Sequence, residues 1–272
     1  MIVDGHMHLT GANEVIEGRS AFDAPDLIRV MDLEMPVFGR PRRIDMGVVM
    51  PTPVLTTRHE VLPLDQHATV VRAVRAYPDR LVGAFILNPR HGVQAGIGAL
   101  RHLVAHEGFR MVKLHPTQHG FSPNSRELVG PVMEEAVGLG IPVLIHMGEP
   151  PYAIPSLVEP MARAHPRATI ILAHLATQKV SYADDALNVA QHCDNVLLET
   201  GWGPLPRLRD AARALGPSRL VFGSDTPIQE PYSQLRVVEC LAWARPIGVG
   251  WSEAQVEQVL GGNMATLLRL QG

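Results

Sequence analysis

Eight short runs of apolar, largely β-branched residues recur along the chain with stretches of helical periodicity between them, and this alternation restricts the fold more than any other feature. The runs are Ile2–Leu9, Ile44–Pro51, Leu81–Leu87, Met111–His115, Pro142–His146, Thr169–His174, Asn195–Thr200 and Leu220–Ser224. Helical stretches lie at Leu64–Tyr77, Val93–His106, Ser125–Leu139, Pro155–His165, Asp184–His192 and Leu205–Leu215, with a closing pair at Ser233–Ala244 and Glu253–Leu270. Because each strand run is almost continuously apolar, it is expected to be buried on both faces, as parallel strands are. Eight such strands alternating with helices predict an α/β fold, a closed (β/α)8 TIM barrel. Pro and Gly are spread along the whole length and no Ser/Gly tether or charge block divides it, so residues 1–272 read as one domain. The longest irregular stretch, Gly11 to Arg43, carries a predicted helix at Asp26–Met35 and a basic group, Arg40, Arg42 and Arg43; it reads as a lid or as surface decoration.

Composition narrows the partners. With 24 Lys+Arg against 27 Asp+Glu and the basic residues scattered, the chain has no electrostatic footprint for nucleic acid or an anionic membrane. The opening Met1–His6 lacks the basic and apolar regions of a signal peptide, and no run approaches the roughly 18 apolar residues of a membrane span. A cytoplasmic protein acting on a small molecule is expected. Cys193 and Cys240 form neither a CxxC pair nor a thiolate cage. Periodicity leaves open whether the apolar residues of the last helices face the barrel or a second copy in a homodimer.

In a barrel of this kind the active site lies at the carboxyl ends of the strands. The first strand ends in His6-Met7-His8, the fourth in Lys113-Leu114-His115-Pro116, the fifth in His146, the sixth in His174 and the eighth in Asp225. Residues two apart share a face, so His6 and His8 both project into the barrel mouth. A lone strand-end histidine is more often structural than a ligand. Five ligand-type residues on one rim (His6, His8, His146, His174 and Asp225) instead suit a divalent cation, since catalytic zinc takes three or four N/O ligands and keeps a position open. Ser224-Asp225-Thr226-Pro227 also has the form of a turn cap before a helix. Thr52, Asn88, Glu149 and Trp202 share the rim as candidate substrate contacts. His102 and His106 stand at i,i+4, but Leu103 occupies the place of the glutamate in a zinc-binding HExxH helix, and they read as a solvated face. His59, His67, His91, His165 and His192 read as surface residues.

Taken together, Asp4-Gly5-His6-Met7-His8, Val112-Lys113-Leu114-His115-Pro116, Ile145-His146-Met147-Gly148, Ala173-His174-Leu175 and Phe222-Gly223-Ser224-Asp225-Thr226-Pro227 resemble the amidohydrolase superfamily. Within it the chain is most similar to the branch that includes aminocarboxymuconate-semialdehyde and resorcylate decarboxylases. The resemblance spans residues 2 to about 268, including the closing Gly262-Asn263-Met264-Ala265. It implies that His6, His8, His146 and Asp225 hold one divalent metal, Zn2+ before Mn2+, and that His174 faces the substrate as electrophile or proton donor. In binuclear relatives a carboxylated lysine near the position of Lys113 bridges two ions. Lys113, with His115 on the same face, is therefore such a bridge, a contact for a substrate carboxylate or phosphate, or a buried counterion to an Asp or Glu.

Two reactions suit that set. In hydrolysis of an amide, lactone or ester, Asp225 takes the proton of the attacking water and returns it to the leaving group, while His174 stabilises the oxyanion. In non-oxidative decarboxylation of an aromatic or unsaturated acid, Asp225 or His174 protonates carbon before carbon dioxide leaves, and Lys113 or the Arg40–Arg43 group clamps the carboxylate. The decarboxylases that the chain resembles are usually longer, so its length, with the few aromatics (3 Trp, 4 Tyr and 6 Phe), tips the expectation slightly toward hydrolysis. A third reading, a metal-free lactonase or binding protein on the same barrel, is opposed by the intact four-ligand set.

Overall fold

The computed structural model describes residues 1–10 and 22–270. Eight parallel strands follow one another in chain order around one sheet: β1 (Val3–Leu9), β2 (Met46–Pro51), β3 (Leu81–Ile86), β4 (Phe109–Leu114), β5 (Val143–Ile145), β6 (Ile170–Leu172), β7 (Val196–Glu199) and β8 (Leu220–Val221). The residues after β8 close the ring onto β1. Gly5 N–H donates to Phe222 O (3.0 Å), Asp225 N–H to His6 O (2.8 Å) and His8 N–H to Thr226 O (2.6 Å). The expected (β/α)8 barrel is the fold.

Strand periodicity divides the core in two. Val48, Met50, Ala84, Ile86, Met111, Leu144, Ile171, Leu197 and Val221 form the inner cluster, which Met264 and Leu268 of the last helix join. Their alternates, such as Val49, Phe85, Val112, Ile145, Leu172 and Leu198, pack outward with the helices. Adding two to an inward position therefore gives the next inward side chain: Met111 leads to Lys113, Leu144 to His146 and Leu197 to Glu199. In this way apolar packing at mid-strand decides which polar groups meet at the rim.

Helices Val93–His106 and Leu205–Leu215 have the bounds that periodicity predicts. The closing stretch is not one helix. It runs as Glu253–Glu257, a π-helical turn at Gln258–Gly262, and Asn263–Leu268. The reason is local: a Cβ on Gly261 would strike the Met1 carbonyl, and Asn263 Nδ2 donates to Pro217 O and Leu220 O (2.7 Å each), pinning this turn under the barrel.

In the Gly11–Arg43 stretch, residues 11–21 lie outside the described residues, and with them that part of the lid expectation. The remainder is helix Ala24–Met31, started by an Asp23/Asp26 capping box, and a hairpin pairing Met35–Val37 with Arg40–Arg42. Arg40 pairs with Glu253, Arg42 pairs with both carboxylate oxygens of Glu257 (2.6 and 3.1 Å), and Arg43 pairs with Asp32 (3.3 Å). The basic group thus ties the hairpin to its surroundings rather than clamping a substrate.

His67 corrects another expectation. It is fully buried, stacks on Phe85, donates from Nδ1 to Pro63 O (2.7 Å) and accepts at Nε2 from Ile86 N–H (2.9 Å). Burial lowers its pKa to about 4. An unfolded His67 binds a proton below its ordinary value near 6.5 and the folded one does not, so stability is lost as pH falls from about 6.5 to 4, by roughly 3 kcal/mol for this group. An NMR titration is expected to show no His67 midpoint between pH 7 and 5; a midpoint near 6.5 would contradict this. His102 and His106 are exposed, as the missing glutamate implies, and no described helix is long and apolar enough to cross a membrane.

Candidate metal centre and active site

The rim residues meet as a connected chain of buried side chains. His8 Nε2 lies 3.2 Å from Asp225 Oδ1, and His6 Nε2 lies 3.5 Å from the same oxygen. Lys113 Nζ is 2.8 Å from His6 Nε2. His174 stacks on His6 and places Nε2 3.2 Å from His146 Nδ1. His6, His174 and Asp225 offer ligand atoms that all lie within 4.8 Å of one another.

Backbone geometry aims two of these groups. His174, Leu175 and Ala176 are successive left-handed residues (φ 63°, 46° and 53°), which turn the chain sharply at the end of β6. Asp225 is also left-handed (φ 70°), a region that Asp and Asn tolerate better than most residues. Its carboxylate accepts from Trp202 Nε1 (2.8 Å), whereas the N-cap of the following helix Pro231–Glu239 is Glu230. Asp225 therefore serves the site and does not cap that helix.

Hydrogen bonding sets which ring nitrogen carries each proton. His8 Nδ1 donates to Pro51 O (2.9 Å), so Nε2 keeps its lone pair. His6 Nδ1 faces Glu199 Oε2 (3.4 Å), again freeing Nε2. His146 Nε2 donates to Glu149 Oε2 (3.2 Å) and frees Nδ1. Three imidazoles are thus anchored on the outside and turn lone pairs toward Asp225 and His174, the arrangement that outer acceptors impose on metal-binding histidines. The lone pair of His8 facing a carboxylate oxygen at 3.2 Å calls for a positive charge beside it. This donor set fits a divalent cation.

His115 differs. Its Nδ1 accepts from Gln118 N–H (3.2 Å), so the neutral ring carries its proton on Nε2. Although His115, His146 and Glu149 form a second compact group, His115 presents a donor there and not a ligand lone pair. It stacks on His146 with ring centres 3.7 Å apart.

Burial sets the charges. Desolvation drives His6, His115 and His174 well below the ordinary histidine range and lowers His146, keeping these rings neutral. Burial would raise Asp225, but its basic neighbours His6, His8 and Lys113 hold it well below the carboxylate range. Lys113 is lowered by desolvation, against attraction from Asp225 and Glu199.

Two buried acids lie beyond the predicted set. Glu199, at the end of β7, is discussed below. Asp4 Oδ1 accepts from His6 N–H (3.1 Å) and Ser224 N–H (3.0 Å), tying the first strand's histidines to the Asp225 loop. Above the cluster is a cavity of about 210 Å³ lined by His8, Thr52, His115, Gln118, Glu149 and Lys179, among others. Among the described residues no Phe, Tyr, Trp or Arg lines it. Asn88 instead holds the Thr56 carbonyl (2.9 Å).

The amidohydrolase family model matches residues 3–270, and the chain belongs to that family. It is an enzyme of the amidohydrolase superfamily. Similar solved structures include 2,6-dihydroxybenzoate decarboxylase from Rhizobium, with TM-score 0.74 and 15% identity over 100% of this chain and 99% of that one. Dihydroxybenzoic acid decarboxylase from Polaromonas sp. JS666, with bound manganese and 2-nitroresorcinol, gives 0.73 and 15% over 99% and 97%. A probable 2-pyrone-4,6-dicarboxylic acid hydrolase from Acinetobacter baumannii, with citric acid bound, gives 0.67 and 14% over 99% of both chains. At these identities the likeness shows the fold alone. A search of curated protein sequences found no match.

Proposed function

We propose that the protein is a metal-dependent hydrolase that cleaves a C–N or C–O bond of a small amide, lactone or ester. The observation that carries this reading is the set of three outwardly anchored histidines around an ionised Asp225, with the inner nitrogens of His6 and His8 facing that carboxylate and that of His146 facing His174, next to a small cavity that His8 helps to line. His6, His8, His146 and Asp225 would hold one divalent ion, Zn2+ by the ligand types. When bound, such an ion supplies Lewis acidity, polarising a carbonyl and lowering the pKa of water.

The chain's own groups do the rest. Asp225, kept ionised and fixed by Trp202, accepts the proton of the attacking water and passes it to the leaving group. His174, in the same compact group as His6 and Asp225, donates to the oxygen that gains charge. Lys113 is engaged with His6, and its role in this reading is electrostatic support of the cluster. A second ion would require Lys113 to be carboxylated and to give up that hydrogen bond.

Decarboxylation of a small carboxylic acid is the second reading, favoured by Lys179 in the cavity lining, where a substrate carboxylate would find a cation. The Arg40–Arg43 clamp is spent on structural ion pairs, and no described Phe, Tyr or Trp lines the cavity to stack on a ring. The test is a panel of lactones, esters and amides beside aromatic and unsaturated acids, each assayed with Zn2+, with Mn2+ and after chelation. Metal-restored hydrolysis is the expected result. Carbon dioxide release without hydrolysis would replace it with the second reading, and hydrolysis that survives complete metal removal would overturn the metal mechanism.

A further inference from the structure

We infer that Glu199 is a positioning residue that holds His6 and the His174 turn in register, so that the ring nitrogens of both histidines face the centre of the site. The inference rests on the metal reading above for its consequence and on geometry for its substance. Glu199 is fully buried at the end of β7, on the inward side set by Leu197. Its Oε1 accepts from Gly201 N–H. Its Oε2 accepts from His174 N–H (2.9 Å), lies 3.4 Å from His6 Nδ1, and lies 3.7 Å from His174 Nδ1, a buried atom with no hydrogen-bond partner among the described residues. One carboxylate therefore links the ends of β1, β6 and β7.

The surroundings are shaped to receive it. A Cβ on Gly201 would lie 2.6 Å from Glu199 Oε1, and one on Gly223 would lie 2.7 Å from Oε1 and 2.8 Å from Cδ. Both positions are glycine where any larger residue would displace this carboxylate. With Oε2 accepting the Nδ1–H of His6, the lone pair of that ring sits on Nε2, toward Asp225 and Lys113.

Glu199→Gln separates this role from simple packing. A glutamine has one acceptor oxygen where the carboxylate has two, while Gly201 N–H and His174 N–H both demand one. Whichever way the amide turns, one N–H meets its NH2. When the NH2 lies on the His6 side it donates to Nδ1, moves the ring proton to Nε2, and removes the inward lone pair.

The experiment combines equilibrium dialysis against Zn2+ with histidine 15N NMR of the metal-free protein, on wild type and E199Q. Expected are an Nδ1–H His6 in the wild type, an Nε2–H or mixed His6 in E199Q, and zinc affinity weaker by about 10- to 100-fold. An Nε2–H His6 in the wild type, or an E199Q protein that changes neither the His6 tautomer nor the zinc affinity, would overturn the inference. Wild type that binds no Zn2+ would sink the metal reading, while the NMR comparison still decides the role of Glu199. If E199Q does not fold, Gly223→Ala, which displaces the same carboxylate, is put through the same two measurements: a perturbed His6 Nδ1–H signal and weaker zinc binding are expected, and a protein unchanged in both would overturn the inference.

Discussion

Asp225→Asn is expected to lower kcat/KM by about 10³-fold, within the range that a positioned acid–base group commands, while leaving the fold intact. The backbone argument protects the fold: position 225 is left-handed at φ 70°, and Asn is at ease there whereas Ala is strained. The chemical argument concerns orientation. Trp202 Nε1 donates to Oδ2, so Asn must place its carbonyl oxygen there and turn its NH2 to the place of Oδ1. That NH2 then donates to the Nε2 lone pairs of His6 and His8, which lie 3.5 and 3.2 Å from Oδ1. One substitution removes the proton acceptor and blocks two ligand atoms. A fall of less than about tenfold, with unchanged thermal unfolding, would mean that Asp225 takes no part in proton transfer.

His6→Ala/His8→Ala is the second large effect. Removing both rings leaves two members of the proposed four-ligand set, His146 and Asp225, fewer than the three or four that a catalytic zinc takes. Metal content is expected to fall from about one ion per chain to none, and activity to background. Because the rings are fully or almost fully buried, some stability goes with them, so thermal unfolding of the metal-free proteins is the control. Metal content equal to wild type would require a different ligand set, and full activity would exclude the metal mechanism.

The barrel was legible because each strand run is apolar on both faces, and a run such as Ile170–Leu172 has no other stable use than a buried parallel strand. The same property hid its polarity. In continuous runs nothing in the sequence distinguishes the inward face, so Glu199 passed as the end of an apolar stretch although Leu197, two residues before it, packs in the barrel interior. Counting by twos from mid-strand would have found it. His6 and His8 were legible because the HxH spacing supplies that parity by itself. His67 was misread because its neighbours have helical spacing; its burial comes from Phe85 and the Ile86 N–H, contacts 18 and 19 residues away that no local pattern encodes. The Arg40–Arg43 group failed as a clamp for a related reason: Glu253 and Glu257, its partners, lie more than 200 residues along the chain. His115 could be placed on the rim, but its protonated nitrogen follows from the Gln118 N–H, which only the fold reveals.

The central claim is that His6, His8, His146 and Asp225 form a site for one divalent ion. It is tested most directly by elemental analysis of the protein purified without chelator and again after reconstitution, counting zinc, manganese, iron and nickel per chain. About one ion per chain is the predicted result, from three imidazoles and one carboxylate. A protein that is empty at purification and stays empty after reconstitution would contradict the claim.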